Sequence, residues 1–163
     1  MPANPTIAAL AEIVLGACRA RGWKLATAES CTGGLVAAAL TAIAGSSDVF
    51  ERGFVTYSNR SKSEMLGIDA ALIEKLGAVS AETAAAMAVG ALAKAPVDLA
   101  VSITGIAGPG GSSADKPVGL VYFGIARRVG GVTTEKKIFS GDRDAVRRDA
   151  MLRALALLLE ASE

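Results

Sequence analysis

The chain alternates between helix-type and strand-type hydrophobic patterns, and this alternation most restricts the folds open to it. Leu10, Val14 and Cys18 have the spacing of an amphipathic helix that begins at Ile7 and ends near Gly22. Short apolar runs that follow it are typical of buried strands, and alanine-rich runs between them are typical of packed helices. Helices that separate strands along a chain predict a sheet with helical layers against it.

The remaining predicted elements continue this order. Helices are predicted over residues 33–44, 61–66, 70–76, 81–93 and 142–159, and strands over residues 25–28, 50–57, 99–104, 119–127 and 132–140. Because the last two strands read as a hairpin, the sheet cannot be wholly parallel. We therefore predict an α/β protein, a single-domain α/β/α sandwich over residues 1–163 on a mixed, mostly parallel sheet.

Composition excludes several classes of protein. Apolar residues make up 52% of the chain, which argues against disorder. Because 17 basic residues balance 16 acidic ones, the chain lacks the excess of positive charge that binding to nucleic acid or an anionic membrane surface requires. With no histidine and two cysteines, the chain is a poor zinc binder, and we expect no metal and no cofactor. The N-terminus lacks the basic region of a signal peptide, so we expect a cytoplasmic protein. We also expect its partner to be a small-molecule substrate.

Ser30 lies at a predicted strand-to-helix turn, in the segment Glu29-Ser30-Cys31-Thr32-Gly33-Gly34. Such a turn exposes a hydroxyl beside backbone N–H groups without helical partners, and these groups can hold a substrate oxygen or an oxyanion. A Ser-His-Asp triad is impossible without histidine, so the base for a Ser30 nucleophile must be Lys, Tyr, Asp or Glu. The alternative is that Ser30 only caps the helix.

Several long motifs resemble the CinA C-terminal domain family. They are Thr27-Ala28-Glu29-Ser30-Cys31-Thr32-Gly33-Gly34, Gly53-Phe54-Val55-Thr56-Tyr57-Ser58-Asn59 followed by Lys62, Ser102-Ile103-Thr104-Gly105-Ile106-Ala107-Gly108-Pro109, and Gly141-Asp142-Arg143. Together with shorter motifs they cover nearly the whole chain in the family's order. The resemblance implies hydrolysis of nicotinamide mononucleotide to nicotinic acid mononucleotide and ammonia. It also implies that Ser30 is the nucleophile and that Tyr57 and Lys62 are catalytic.

The residue chemistry adds candidate substrate contacts. The backbone N–H groups of Thr32, Gly33 and Gly34 suit an oxyanion or a phosphate, and Cys31 adjoins them. Thr104 and Gly105 follow a predicted strand and open a glycine-rich loop. Arg143 lies on the last helix, four residues before Arg147, and both are candidates to bind the substrate phosphate. Pairing of these arginines with nearby acids is the alternative.

Two other side chains near Ser30 allow more than one interpretation. Cys31 stands at a helix N-terminus, where a thiolate is favoured, so it is a second candidate nucleophile, although we prefer a packing role for it. Glu29 either orients Lys62 or accepts hydrogen bonds from backbone donors.

Two further classes of function stay open at this stage. One is a nucleotide-binding module without turnover, and the other is a competence- or damage-inducible interaction protein. The balanced charge argues against direct contact with DNA. We expect the chain to act as a homo-oligomer.

Overall fold

A five-stranded mixed sheet forms the centre of the computed structural model, which describes residues 6–163. The strands are β1 (Leu25–Glu29), β2 (Phe50–Val55), β3 (Leu99–Gly105), β4 (Leu120–Arg127) and β5 (Gly131–Ile138), in the order β2-β1-β3-β4-β5. β1 pairs parallel with β2 and β3, whereas β4 runs antiparallel to β3 and β5. All strands except β4 therefore point the same way, and the predicted mixed, mostly parallel sheet is confirmed.

Two helical layers cover this sheet. The helices are α1 (Ile7–Ala20), α2 (Leu35–Thr41), α3 (Asn59–Leu66), α4 (Ala70–Leu76), α5 (Ala81–Lys94) and α6 (Arg143–Ser162), and a 3₁₀ turn covers Ser46–Asp48. The core on one face joins α1, α2 and α6 to the sheet, and the core on the other face joins α3, α4 and α5 to it. The predicted α/β/α sandwich is therefore confirmed.

Some element boundaries differ from the prediction for local physical reasons. α2 begins at Leu35 and not at residue 33, because Gly33 and Gly34 adopt φ values of 58° and 105°, outside the α-helical region. α6 continues past residue 159 because Ala161 and Ser162 are still buried. The sequence predicts no signal peptide at the N-terminus, and this prediction concerns a segment that begins in residues 1–5, outside the described residues.

The parallel strands bring the predicted site residues to one edge of the sheet. Ser30 follows β1, Thr56 and Tyr57 follow β2, and Gly105 ends β3, so these residues meet beyond the carboxyl ends of neighbouring strands. No helix within residues 6–163 combines the length and the apolar character that a membrane span requires.

Candidate active site

The side chains of Ser30 and Lys62 contact one another at this edge. Lys62 lies on α3, immediately after β2, and its Nζ is 3.0 Å from Ser30 Oγ. Ser58 caps α3 by accepting a hydrogen bond from the Ser61 N–H, which fixes the start of the helix that carries Lys62. Two residues 32 positions apart in the chain thus lie within hydrogen-bond distance, which is the geometry that a nucleophile and its base require.

Lys62 is almost completely buried, with 1% of its surface exposed. Its Nζ also donates to two backbone carbonyl oxygens, those of Thr56 at 2.8 Å and Tyr57 at 3.3 Å. Burial penalises the ammonium form and lowers the Lys62 pKa from 10.5 to about 8. About half of the amine is therefore neutral near pH 8.

Cys31 is a poor nucleophile in this environment. Its side chain is buried, and burial raises the pKa of its thiol to about 12. The thiol is therefore protonated at physiological pH, although Cys31 lines the same cleft as Ser30.

Glu29 anchors the turn that follows Ser30. Its carboxylate is fully buried and accepts hydrogen bonds from the Thr32 hydroxyl at 2.7 Å and from the N–H groups of Val36 and Ala37 at 2.9 and 3.1 Å. Of its two interpretations from sequence, the structure thus supports contact with backbone donors. Because Glu29 occupies the first N–H groups of α2, the N-terminus of this helix is not free to bind a substrate phosphate.

Several backbone N–H groups in the turn after Ser30 lack an acceptor in another residue. The Gly33 N–H donates to the Ser30 carbonyl, whereas among residues 6–163 the N–H groups of Cys31, Thr32 and Gly34 donate to no other residue. Of the predicted donors Thr32, Gly33 and Gly34, the Gly33 N–H is therefore already occupied. Donors next to a nucleophile are what an oxyanion requires.

Tyr57 and Arg143 meet at the outer rim of the site. Tyr57 is 61% exposed, and its hydroxyl accepts a hydrogen bond from Arg143 Nη2 at 3.0 Å. Arg143 Nη1 donates to the Gly108 carbonyl at 2.9 Å. Tyr57 thus contributes its carbonyl oxygen to Lys62 and its hydroxyl to Arg143.

A cleft of about 260 Å³ opens above the Ser30–Lys62 pair. The predicted residues Ser30, Tyr57, Lys62, Cys31, Thr104, Gly105 and Arg143 all line it, whereas Thr32, Gly33 and Gly34 do not. The Thr104 hydroxyl donates to the Ala78 carbonyl at 2.7 Å, which joins the end of β3 to the loop before α5. Arg147 turns away from the cleft and donates to backbone carbonyls of the Ser30 turn.

Sequence reasoning missed part of this cleft. Ala78 and Val79 also line it, and the Thr56 carbonyl contacts Lys62, whereas Gly110 and Gly111 belong to the glycine-rich loop that opens at Gly105. Backbone atoms and small apolar residues have no chemical signature in a sequence, so no pattern pointed to them. Within the described part of the chain, no three His, Cys, Asp or Glu side chains gather as metal ligands would.

Comparisons with known proteins agree over nearly the full chain. A profile described as the CinA C-terminal domain matches residues 7–162. The nicotinamide-nucleotide amidohydrolase PncC of Escherichia coli (strain K12) is 54% identical over 149 residues, which are 91% of this chain and 90% of that protein. The protein of the same name from Enterobacter agglomerans is 54% identical over 143 residues, 88% of this chain and 87% of that protein.

The fold is also similar to that of a solved structure. The crystal structure of the competence/damage inducible protein CihA from Agrobacterium tumefaciens superposes with a TM-score of 0.94 and 44% sequence identity, and the match covers 100% of both chains.

Proposed function

The chain belongs to the CinA C-terminal domain family, and on this premise we propose that it is an amidohydrolase that deamidates nicotinamide mononucleotide through Ser30. The products are nicotinic acid mononucleotide and ammonia. The names of the full-length relatives support the substrate. The observation that carries the mechanism is the 3.0 Å contact between Ser30 Oγ and Lys62 Nζ in a chain without histidine.

The neutral amine of Lys62 fits its surroundings well. A neutral amine has two N–H donors and one lone pair, and the carbonyl oxygens of Thr56 and Tyr57 accept both donors. The lone pair then faces the remaining neighbour, the Ser30 hydroxyl. Lys62 can therefore accept the Ser30 proton without losing a hydrogen bond.

The proposed reaction proceeds in two halves. Ser30 Oγ attacks the carboxamide carbon while Lys62 takes its proton, and the N–H groups of Cys31 and Thr32 stabilise the oxyanion. Lys62 then protonates the leaving nitrogen, the C–N bond breaks and ammonia departs, which leaves an ester on Ser30. Water attacks this ester with Lys62 again as the base, and the acid product leaves as Ser30 regains its proton.

Arg143 is the proposed contact for the substrate phosphate. It lines the cleft, and a guanidinium has the planar pair of N–H donors that suits a phosphate. Gly110 and Gly111 line the same cleft, and their N–H groups have no backbone acceptor among residues 6–163. Thr104 and Gly105 also line it, and the Thr104 hydroxyl holds the end of β3 to the Ala78 carbonyl.

We further propose a homo-oligomer in the cytoplasm. Exposed large apolar side chains lie on both edge strands, namely Val55 on β2 and Val132 and Ile138 on β5, which supports association between copies. Both cysteines are free thiols, as is usual in a reducing compartment. Light scattering of the purified protein tests the oligomer, and a monomer at micromolar concentration contradicts it.

Ammonia release tests the proposed function. Nicotinamide mononucleotide should be deamidated, and its riboside and glutamine should react far more slowly. Ser30→Ala should abolish turnover and keep substrate binding. The matched variant Cys31→Ala should retain most of the activity, because the Cys31 thiol of the wild type is protonated and does not act as a nucleophile. Binding of the mononucleotide without ammonia release would instead support a nucleotide-binding module.

A further inference from the structure

We propose that Arg147 is a positioning residue that holds the turn after Ser30 in its oxyanion-binding orientation. This role rests on the proposed function, because it requires that an attack by Ser30 creates an oxyanion. Arg147 does not line the cleft and forms no hydrogen bond with the Ser30 side chain. It acts on the reaction through the backbone of Cys31 and Thr32.

Both hydrogen bonds of the Arg147 side chain within residues 6–163 are with the turn. Its Nε donates to the Cys31 carbonyl at 3.1 Å and its Nη2 donates to the Thr32 carbonyl at 3.3 Å. A side-chain carbon on Gly33 would lie 3.4 Å from Arg147 Nη2, so the guanidinium packs directly against the backbone there. Among residues 6–163, Arg147 is the only donor to the Cys31 carbonyl.

The planar peptide group transmits this contact to the reaction. In a trans peptide the carbonyl oxygen and the following N–H point in opposite directions. When Arg147 holds the Cys31 carbonyl on the α6 side, the Thr32 N–H must point to the opposite side. That N–H is one of three in the turn that donate to no other residue among residues 6–163, and Thr32 itself is fully buried.

The turn needs such an anchor because its own backbone is permissive. Gly33 and Gly34 adopt φ values of 58° and 105°, and glycine reaches other regions at little cost. Glu29 holds the Thr32 hydroxyl and the start of α2, but it does not contact the Cys31–Thr32 peptide group. A flip of that peptide would replace the Thr32 N–H with the Cys31 carbonyl oxygen and repel the oxyanion.

Arg143 and Arg147 therefore have different roles, although both lie on the first two turns of α6. Arg143 reaches the cleft rim and contacts the Tyr57 hydroxyl and the Gly108 carbonyl, whereas Arg147 packs behind the turn. The difference gives the two arginines distinct kinetic effects. Loss of Arg143 should weaken substrate binding, and loss of Arg147 should slow the chemical step.

The experiment compares Arg147→Met and Arg147→Lys with a matched control, Arg128→Met. Arg128 also donates to backbone carbonyls, those of Leu92, Ala95 and Val97, at the opposite edge of the sheet. Each variant is assayed for kcat and KM with nicotinamide mononucleotide and for thermal midpoint. Each is also assayed for the rate at which a small fluorophosphonate labels Ser30. In this reaction an Oγ–P bond forms, fluoride leaves and Lys62 takes the proton.

We expect Arg147→Met to lower kcat and the labelling rate at least about tenfold and to leave KM unchanged. The rise of kcat with pH should be the same as in the wild type, because Lys62 is not changed. Arg147→Lys should recover part of the loss, since an ammonium can hold one carbonyl. Arg128→Met should change the thermal midpoint only.

Two results would overturn the role of Arg147. One is wild-type kcat and labelling in Arg147→Met, and the other is a raised KM with unchanged kcat, which would make Arg147 a substrate contact. The labelling assay keeps this test separate from the proposed function. If the wild type releases no ammonia from nicotinamide mononucleotide but Arg147→Met still labels slowly, the substrate is wrong and the role of Arg147 stands.

Discussion

At the scale of single residues, the environment of Lys62 governs the chemistry. Its amine is buried, it meets two carbonyl acceptors, and its pKa falls to about 8. An exposed lysine stays almost wholly protonated at neutral pH and is useless as a base. In the proposed mechanism, burial is therefore what enables a chain without histidine to activate Ser30.

The pH dependence of the reaction follows from this pKa. Because only the neutral amine accepts the Ser30 proton, kcat/KM should rise about tenfold per pH unit below pH 8 and level off above it. Lys62→Met should lose at least about 100-fold of the turnover. Lys62→Arg should be equally inactive, since its guanidinium cannot be deprotonated. Near-normal activity in Lys62→Arg would show that Lys62 is only an electrostatic contact.

Tyr57 should matter less than Lys62. Tyr57→Phe keeps the backbone carbonyl that accepts from Lys62 and loses only the hydroxyl that holds Arg143. We expect about a tenfold loss of kcat/KM, chiefly through KM, and a similar loss in Arg143→Met. Both variants should prefer the mononucleotide over its riboside less strongly than the wild type. If Tyr57→Phe is as inactive as Lys62→Met, the hydroxyl takes part in proton transfer.

At the scale of secondary-structure elements, α6 links the site to the far edge of the sheet. Its first turns carry Arg143 and Arg147, and further along Arg153 forms a bidentate pair with Glu135 of β5, with N–O distances of 2.6 and 2.7 Å. Glu160 also accepts from Arg153 at 2.8 Å. This pairing ties an otherwise exposed edge strand to the helix.

Loss of that pair should destabilise the fold modestly. Arg153→Met should lower the free energy of unfolding at pH 7 by about 1 kcal/mol, because the pair is bidentate and half-buried. The Arg153 guanidinium lowers the Glu135 pKa below 4.5, so this contribution is complete above that pH and disappears as the pH falls below it.

Urea denaturation at pH 7 and pH 3 measures the effect. The matched control Arg148→Met breaks a longer and more exposed pair with Asp149, and it should change stability by less than about 0.5 kcal/mol. Equal losses in the two variants would contradict a special role for the Arg153 pair.

At the scale of the whole molecule, the burial of Lys62 lowers the stability of the fold, although the proposed function requires it. Folding removes Lys62 from water and lowers its pKa from 10.5 to about 8, so the unfolded chain binds more protons between these values. Stability from this group is therefore lowest below pH 8 and rises from pH 8 to pH 10.5. The proposed mechanism gives a reason for that penalty, because it requires a neutral amine at Lys62.

Lys62→Met should accordingly be inactive but no less stable. At pH 7 we expect a free energy of unfolding equal to that of the wild type or up to about 2 kcal/mol higher, and the gain should shrink as the pH rises toward 10. Chemical denaturation at both pH values measures it. A variant less stable than the wild type by more than about 1 kcal/mol at pH 7 would mean that the hydrogen bonds of Lys62 outweigh its burial.

Sequence patterns determined the architecture and several of the cleft residues. The alternation of hydrophobic periods predicted the six helices, the five strands and the mixed sheet, and α4 matches its predicted bounds, residues 70–76. Local periodicity suffices for this because each element must bury one face wherever it packs. Family motifs placed Ser30, Tyr57 and Lys62 together as candidates, and the structure brings all three to one cleft.

Only the tertiary structure decided what the neighbouring charged residues contact. Glu29 and Lys62 are both buried, yet Glu29 turns to α2 and Lys62 turns to Ser30. Arg143 and Arg147 share a helix, yet one reaches the cleft and the other holds the turn behind it. A sequence records which groups can pair but not the distances between them. Long-range packing of β1, α3 and α6 sets those distances, and through burial it also sets the Lys62 pKa.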